Sequence, residues 1–507
     1  MNSTASTSWA ESPAGRPWLM LGLLLFSSLG TIAATVLGNG NIFVAVTPLL
    51  LASSAALVWF LPLRFPIFVL MFLGLTIDSA GEGPWNSPLA QVGMLLHVNL
   101  AKSFPGTGLP LPGVYILFAI LLLIHVHRTL SGIPTDSRDR KPPATVLLQA
   151  LAVSLLTIGG LCLLGLQGGG NMKMAKIQVQ TYAVVLIIAY LCAMTLRGVR
   201  DYRIMGAIVI AAACVKSVIA LLVAHVIVPV PRGEYATAHG DSLLFACATV
   251  ILIIRLAENP VGRNLLACAV FLPLIGAGMV ANDRRLVWVE VLLPLVIYWL
   301  ISHRSQFKRF LARGMLLALP VILLYIAAGW NSQSEVFAPV RTLRSVGDSN
   351  VDSSTMYRDI ENFNLLATLR QNLLTGSGFG HPFVEQVVLP NISFFEEYRY
   401  MPHNSVLGLW AFSGPLGFSG LTAALVVAIY LAARSYQYAR LPDERVTAVM
   451  VIATIVIYMV HCWGDIGFSE RRTLYLVGPV LAMAGQLAVS TGAWRVRTSN
   501  MRPSIRS

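Results

Sequence analysis

The chain is a succession of apolar runs of about 20 residues, the length a helix needs to cross a bilayer, with a single long polar interruption at 330–403. With 56% hydrophobic and 12% charged residues and a mean hydropathy of +0.70, it reads as an integral membrane protein. Lipid offers no partner to an open amide, so spans are helices or closed barrels. These runs lack the two-residue alternation of barrel strands. The expected fold is therefore all-α, a polytopic membrane protein of about 14 transmembrane helices (12–14). They fall at 18–37, 41–61, 65–77, 112–127, 144–166, 177–196, 204–229, 241–254, 264–280, 286–301, 314–329, 404–433, 446–462 and 473–490. The segment 65–77 is short enough to be tilted or re-entrant.

Lys and Arg set the orientation. With a cytoplasmic N-terminus, every cytoplasmic segment carries basic residues, from Arg16 and Arg64 to Arg495, Arg497, Arg502 and Arg506, together 22 of the 36 in the chain. Both termini then face the cytoplasm. The organisation expected is a cytoplasmic N-terminus (1–17), a bundle of about 11 helices (18–329), a large external loop (330–403), about three more helices (404–490) and a basic cytoplasmic tail (491–507). The first run follows one Arg, and Ala33-Ala34-Thr35 is a poor cleavage site, so it is read as a retained helix. Cys162, Cys192, Cys214, Cys247, Cys268 and Cys462 lie in or at the edge of spans, with no metal-site spacing, and are expected as small apolar packers.

The net charge of +13 resides mostly in short cytoplasmic loops. Topology and anionic lipid account for it, which excludes a nucleic-acid partner and leaves membrane lipids as the expected one. Topology does not account for Lys173, Lys176, Arg232, Arg284, Arg285, Arg471 and Arg472 on the outer side. Arg284 and Arg285 stand in a tight turn between two spans, where a guanidinium fork matches phosphate oxygens. Such a pair suits a lipid pyrophosphate, or alternatively a salt bridge to Asp283 or Glu290. Lys216, near mid-span, either lines an aqueous groove or locks helices together. His225, His239 and Asp241 form another outward polar group.

Within the loop, Met356, Ile360, Phe363, Ala367 and Leu374 predict an amphipathic helix over about 354–374, capped by Asp352-Ser353-Ser354 and ended at Gly376. Its polar side carries Arg358 with Glu361 and Asn362, a solvated pair unless that face covers a cavity. Gly376-Ser377-Gly378-Phe379-Gly380-His381 allows a tight turn and close backbone approach, without being a nucleotide fingerprint. Pro402-His403-Asn404-Ser405 then leads into the next span. Asn404 or Ser405 caps that helix, whose positive dipole end disfavours the imidazolium of His403. A neutral imidazole suits a general base; the alternative is an interfacial His donating a structural hydrogen bond. His381 and Glu396-Glu397 are weaker candidates for the base.

The order of an outer Arg pair, a long outer loop with an Arg-bearing helix, Gly-Ser-Gly-Phe-Gly, and His403-Asn404 followed by Gly414 and Gly417 resembles the bacterial O-antigen ligase and polymerase superfamily. The likeness covers about 280–420. It departs from the family pattern at Asn282-Asp283, where small residues are usual, and in a higher span count. The resemblance implies a metal-independent, inverting GT-C glycosyltransferase of the bacterial inner membrane with a periplasmic active site. It would transfer a glycan from undecaprenyl pyrophosphate to an acceptor glycan or lipid A core, with no cofactor. A chain-length regulator is a further partner it allows. Carried over, His403 is the catalytic base, and Arg284 or Arg285 with Arg358 hold the pyrophosphate. Asn404, Gly378, His381, Lys216 and Arg471 are secondary candidates. No outward Asp-x-Asp or His cluster suggests a Mg²⁺ or Zn²⁺ site, although isolated acids such as Asp241 and Asp465 keep the point open.

Two other classes fit the hydropathy. A lipid-linked oligosaccharide flippase should show related halves and charges along a central path, and no internal repeat is present. An assembly subunit would be indifferent to replacement of His403.

Overall fold

The computed structural model describes residues 61–76, 113–131, 142–227, 236–303, 306–332, 334–337, 353–389 and 397–495, with scattered positions between 25 and 53 and at 340 and 344. Every regular element among these residues is helical. In order they are α1 (Arg64–Thr76), α2 (Gly113–Leu130), α3 (Thr145–Gln167), α4 (Met172–Thr195), α5 (Val199–Leu222, prolonged by a π-turn, Val223–Ile227), α6 (Asp241–Glu258) and α7 (Gly262–Asn282). There follow α8 (Leu286–Ile301), α9 (Gln306–Gly329), α10 (Ser353–Gln371), α11 (Ser405–Tyr438), α12 (Pro442–Gly464) and α13 (Thr473–Ser490). Each expected span from 65–77 onward coincides with a helix, while 18–37 and 41–61 lie largely outside the described residues. Nine helices among the described residues are long and apolar enough to cross a membrane. The protein is thus an all-helical, polytopic membrane protein. All six cysteines are free.

The chain divides into two compact units, Met1–Ile67 with Leu117–Asp136, and Phe68–Ile116 with Ser137–Ser507. In the first, Arg128 donates to the Leu61 carbonyl at 3.3 Å. The second holds the remaining features described below.

Burial identifies the centre of the second unit. Buried residues make up 89% of the apolar stretch of α13 and 78% of that of α12, against 28% for α7, so α12 and α13 sit inside and α7 faces outward. Helix α6, packed on α5, α7, α8 and α12, explains how a buried helix carries charge. Its 18 residues rise about 27 Å, and each end is met by cations or hydroxyls. At one end Asp241 faces Lys216 and Arg472. At the other, Glu258 accepts from Tyr298 (2.9 Å), Tyr436 (2.7 Å) and Arg445 (2.7 Å). Gln486 of α13 likewise donates to the Ala193 and Leu196 carbonyls at the end of α4, groups a helix cannot satisfy internally.

At 34 residues α11 is longer than a span requires, and it breaks at Gly414 (φ 59°, ψ 178°), a conformation reserved for glycine, followed by Pro415. Residues 405–413 therefore form a short helix ahead of the span proper. A Cβ at Gly414 would stand 2.2 Å from the Leu374 carbonyl oxygen, so the break is also where the chain leaving α10 docks.

Helix α10 stands within the expected range but turns the other way. Met356, Phe363 and Leu374 are exposed, whereas Glu361, Asn364 and Thr368 are buried beside Leu365 and Ala367. The polar stripe faces inward because each member has a backbone to satisfy. Asn364 accepts from Gln386 and Val387 N–H at 3.0 Å and donates to the Val387 carbonyl at 2.8 Å. Thr368 accepts from Val384 N–H at 2.8 Å. The loop 383–389 has no helix or sheet of its own, and these side chains stand in for one.

Gly414→Ala should cost about 1–3 kcal/mol from the backbone alone and more from the clash with Leu374. Gly276→Ala, where nothing lies within 4 Å of the new methyl, should leave stability intact. Fluorescence-detected melting of detergent-purified protein compares the two; equal midpoints would contradict the role of Gly414.

Candidate functional site

Up-and-down helices bring the ends of α3, α5, α7 and α12 and the starts of α4, α6, α8, α11 and α13 to one end of the second unit. Glu361 of α10 reaches into this end and is fully buried. One of its oxygens accepts from the His403 main-chain N–H at 2.9 Å and, at longer range, the Asn404 N–H at 3.4 Å. The other lies 3.2 Å from His403 Nδ1. A carboxylate only accepts, so Nδ1 carries a proton, and in the neutral ring the lone pair is on Nε2. Glu361 is 0% exposed and the His403 side chain 30%: the carboxylate orients, and the imidazole can be reached. Tyr357 packs edge-on against the His403 ring at 5.2 Å. Burial, then the nearby Glu361 carboxylate, pushes the Tyr357 phenol well above its ordinary range, so it stays protonated.

The chain after His403 is fixed equally firmly. Asn404 caps α11 by accepting from Leu407 N–H (3.0 Å) and donates to Asn362 Oδ1 (3.0 Å). Pro402 lies on Gly408, where any Cβ would be 2.3 Å from its ring. Ser405 donates to the Asp465 carbonyl at 3.3 Å and accepts from Phe468 N–H at 3.5 Å. The α12–α13 connection is thus bonded to the start of α11, two residues after His403.

The same connection meets the arginine turn. Gly464 lies against Leu286, directly after Arg285. Thr237 donates to Asn282, two residues before Arg284, at 3.0 Å, and His239 Nδ1 lies 2.6 Å from Asp465 Oδ2. Arg284 is half-buried and Arg285 exposed. Glu290, an alternative partner for them, instead lies 2.7 Å from His461 Nδ1. Arg358, half-buried, is one turn ahead of Glu361 and Asn362 and so shares their side of α10. Of the two readings left open for it, the solvated pair with Glu361 is not formed, and the Glu361 oxygens face His403 instead.

Other expected residues turn out to be framework. Lys216 is buried 3.1 Å from Asp241, whose second oxygen lies 3.0 Å from Arg472; it locks α5 to α6 and α13. His381 bonds the Gly165 carbonyl through Nε2 at 2.9 Å. Gly378 (φ 75°) brings the loop onto the Gly165 backbone, and its N–H donates to the Phe412 carbonyl at 2.9 Å. The glycine motif therefore allows close approach to the protein's own helices. Arg471 is half-buried within electrostatic reach of Tyr115 and Tyr475. Glu396 lies outside the described residues.

Glu361, Tyr357, Asp465 and the ring of His239 complete this end of the molecule. Of these, Glu361 and His239 left a trace in the sequence, Glu361 as the first of the polar positions 361, 364 and 368 at helical spacing and His239 in the outward polar group with His225 and Asp241. A scan against protein-family models and a search of curated proteins return no match to this chain.

Breaking a buried ion pair costs about 3–5 kcal/mol. Asp241→Asn removes the carboxylate that Lys216 and Arg472 share, with Glu470 remaining 3.7 Å from Arg472, whereas Lys216→Met leaves Asp241 with Arg472. The Asp241 variant should therefore melt at the lower temperature; the reverse order would show that Lys216, not Asp241, is the hub.

Proposed function

We propose that this protein is a bacterial inner-membrane glycosyltransferase of the O-antigen ligase and polymerase type. It takes a glycan from undecaprenyl pyrophosphate and transfers it to an acceptor hydroxyl on the periplasmic side, with both termini in the cytoplasm. The observation that carries this reading is the Glu361–His403 pair, a buried carboxylate holding a reachable imidazole with Nε2 available. Support also comes from the position of the Arg284–Arg285 turn across the α12–α13 connection from it, and of Arg358 on the same side of α10 as Glu361.

In the reaction, His403 Nε2 takes the proton of the acceptor hydroxyl, whose oxygen attacks the anomeric carbon opposite the pyrophosphate. The new C–O bond forms as the bond to the phosphate oxygen breaks, that oxygen keeps the electron pair, and the anomeric configuration inverts. Glu361 stabilises the imidazolium as it forms and fixes the ring in the required tautomer, the part a buried carboxylate plays in a Ser-His-Asp triad. Arg284 or Arg285 and Arg358 neutralise the departing pyrophosphate. Chemistry of this kind needs no bound cofactor, and two or three fixed guanidinium groups take the place of a metal ion. The acceptor is a second lipid-linked glycan in a polymerase, or lipid A core in a ligase.

Purified protein in detergent with EDTA should transfer a radiolabelled glycan from undecaprenyl pyrophosphate. His403→Ala should abolish transfer, and Glu361→Gln should lower kcat by roughly 10²–10⁴ with little change in KM. A ladder of products without added core means a polymerase, and a single core-dependent product a ligase. Failure with every acceptor, together with labelled lipid crossing the bilayer of proteoliposomes, would replace the transferase with a flippase.

A further inference from the structure

A second imidazole at this end of the bundle is held by a carboxylate. The His239 side chain is 52% exposed, with Nδ1 2.6 Å from Asp465 Oδ2, and the Asp465 side chain is 15% exposed. Burial alone would push the Asp465 carboxyl up, but its bond to His239, then the charges of His239 and His461, and the Ile466 N–H at 2.8 Å hold it well below the usual carboxylate range. Asp465 is therefore an anion that faces a half-exposed ring.

The position of the pair matters more than its existence. Asp465 receives Ser405 Oγ on its main-chain carbonyl, two residues after His403. The segment bearing His239 is tied through Thr237 to Asn282, at the foot of the Arg284–Arg285 turn. The imidazole is consequently tied on one side, through Asp465 and Ser405, to the segment that bears the proposed base, and on the other, through Thr237, to the foot of the arginine turn. Among the described residues, Asp241 is paired with Lys216 and Arg472, Glu470 with Arg472 at 3.7 Å, and Glu290 with His461. An exposed imidazole backed by a carboxylate can offer an anion a charge-assisted donor without leaving an isolated charge when the anion departs.

We propose that His239, positioned by Asp465, is a binding residue for the pyrophosphate of the lipid-linked donor, an assignment that rests on the transferase reading above. It donates a hydrogen bond to phosphate oxygen and exchanges no atoms; His403 serves the acceptor and His239 the leaving group.

Binding of undecaprenyl pyrophosphate, undecaprenyl monophosphate and inorganic pyrophosphate to the full chain in detergent, followed by tryptophan fluorescence, tests this. Wild type should prefer the lipid pyrophosphate to both other probes. His239→Gln should weaken that binding about 10-fold or more, the worth of one charge-assisted hydrogen bond, and erase most of the preference over the monophosphate at an unchanged melting temperature. His239→Lys, which keeps a cation, should retain much of the affinity, a rescue that a merely structural strap would not show. Unaltered affinity in His239→Gln, or equal loss in Gln and Lys variants, would overturn the assignment while leaving the transferase reading intact. Wild type with no preference for the pyrophosphate lipid would overturn both.

Discussion

One buried carboxylate organises the distinctive end of this protein. Glu361 accepts from two main-chain N–H groups and faces one ring nitrogen, and every one of these belongs to the short stretch that leads into α11. A buried carboxylate left without such donors would be costly. Its burial is therefore possible only if His403 and Asn404 stand where they do, and their position is fixed only if α10 lies over them. Helix α10, the start of α11 and an imidazole are thereby coupled through a single side chain. Asn362, Asn364 and Thr368 extend the coupling along α10, to Asn404 and to the loop 383–389.

Charge at this end serves two purposes, and burial separates them. Lys216, Asp241 and Arg472 are all nearly inaccessible and bonded to one another; they hold α5, α6 and α13 in register. His403, His239 and Arg285 are partly or fully open at the surface, with the two imidazoles backed by carboxylates from other elements. The first group resembles a structural lock, and the second a set of reagents held in place from behind. Asp465 links the two imidazole-bearing segments, through its side chain to His239 and through its main chain to Ser405, two residues after His403. In the transferase proposed above, such a scaffold would limit the reorganisation that developing charge in the transition state demands.

The helices were largely legible from hydropathy, because lipid imposes a minimum length and forbids open backbone. Helix α10 was legible in extent but not in rotation. Its apolar and polar positions both recur at helical spacing, and only the tertiary partners of Glu361, Asn364 and Thr368 decide which stripe turns inward. His403 was singled out by its place before a helix cap, yet its carboxylate partner lies 42 residues away in sequence, a separation that no local pattern spans. The glycine motif was legible as a place of close backbone approach, and the surface that Gly378 approaches is the backbone of Gly165. Lys216 left two readings open, and the carboxylate that selects the lock comes from the start of the next helix.

The central claim is that the ring of His403, held by Glu361, and the arginine turn face one substrate. A cryo-EM structure with undecaprenyl pyrophosphate bound tests it most directly. The account predicts pyrophosphate density within hydrogen-bonding distance of Arg284 or Arg285 and of Arg358, with the His403 Nε2 edge facing the position of the anomeric carbon. Density for the headgroup threaded between the transmembrane helices, away from His403, would contradict it.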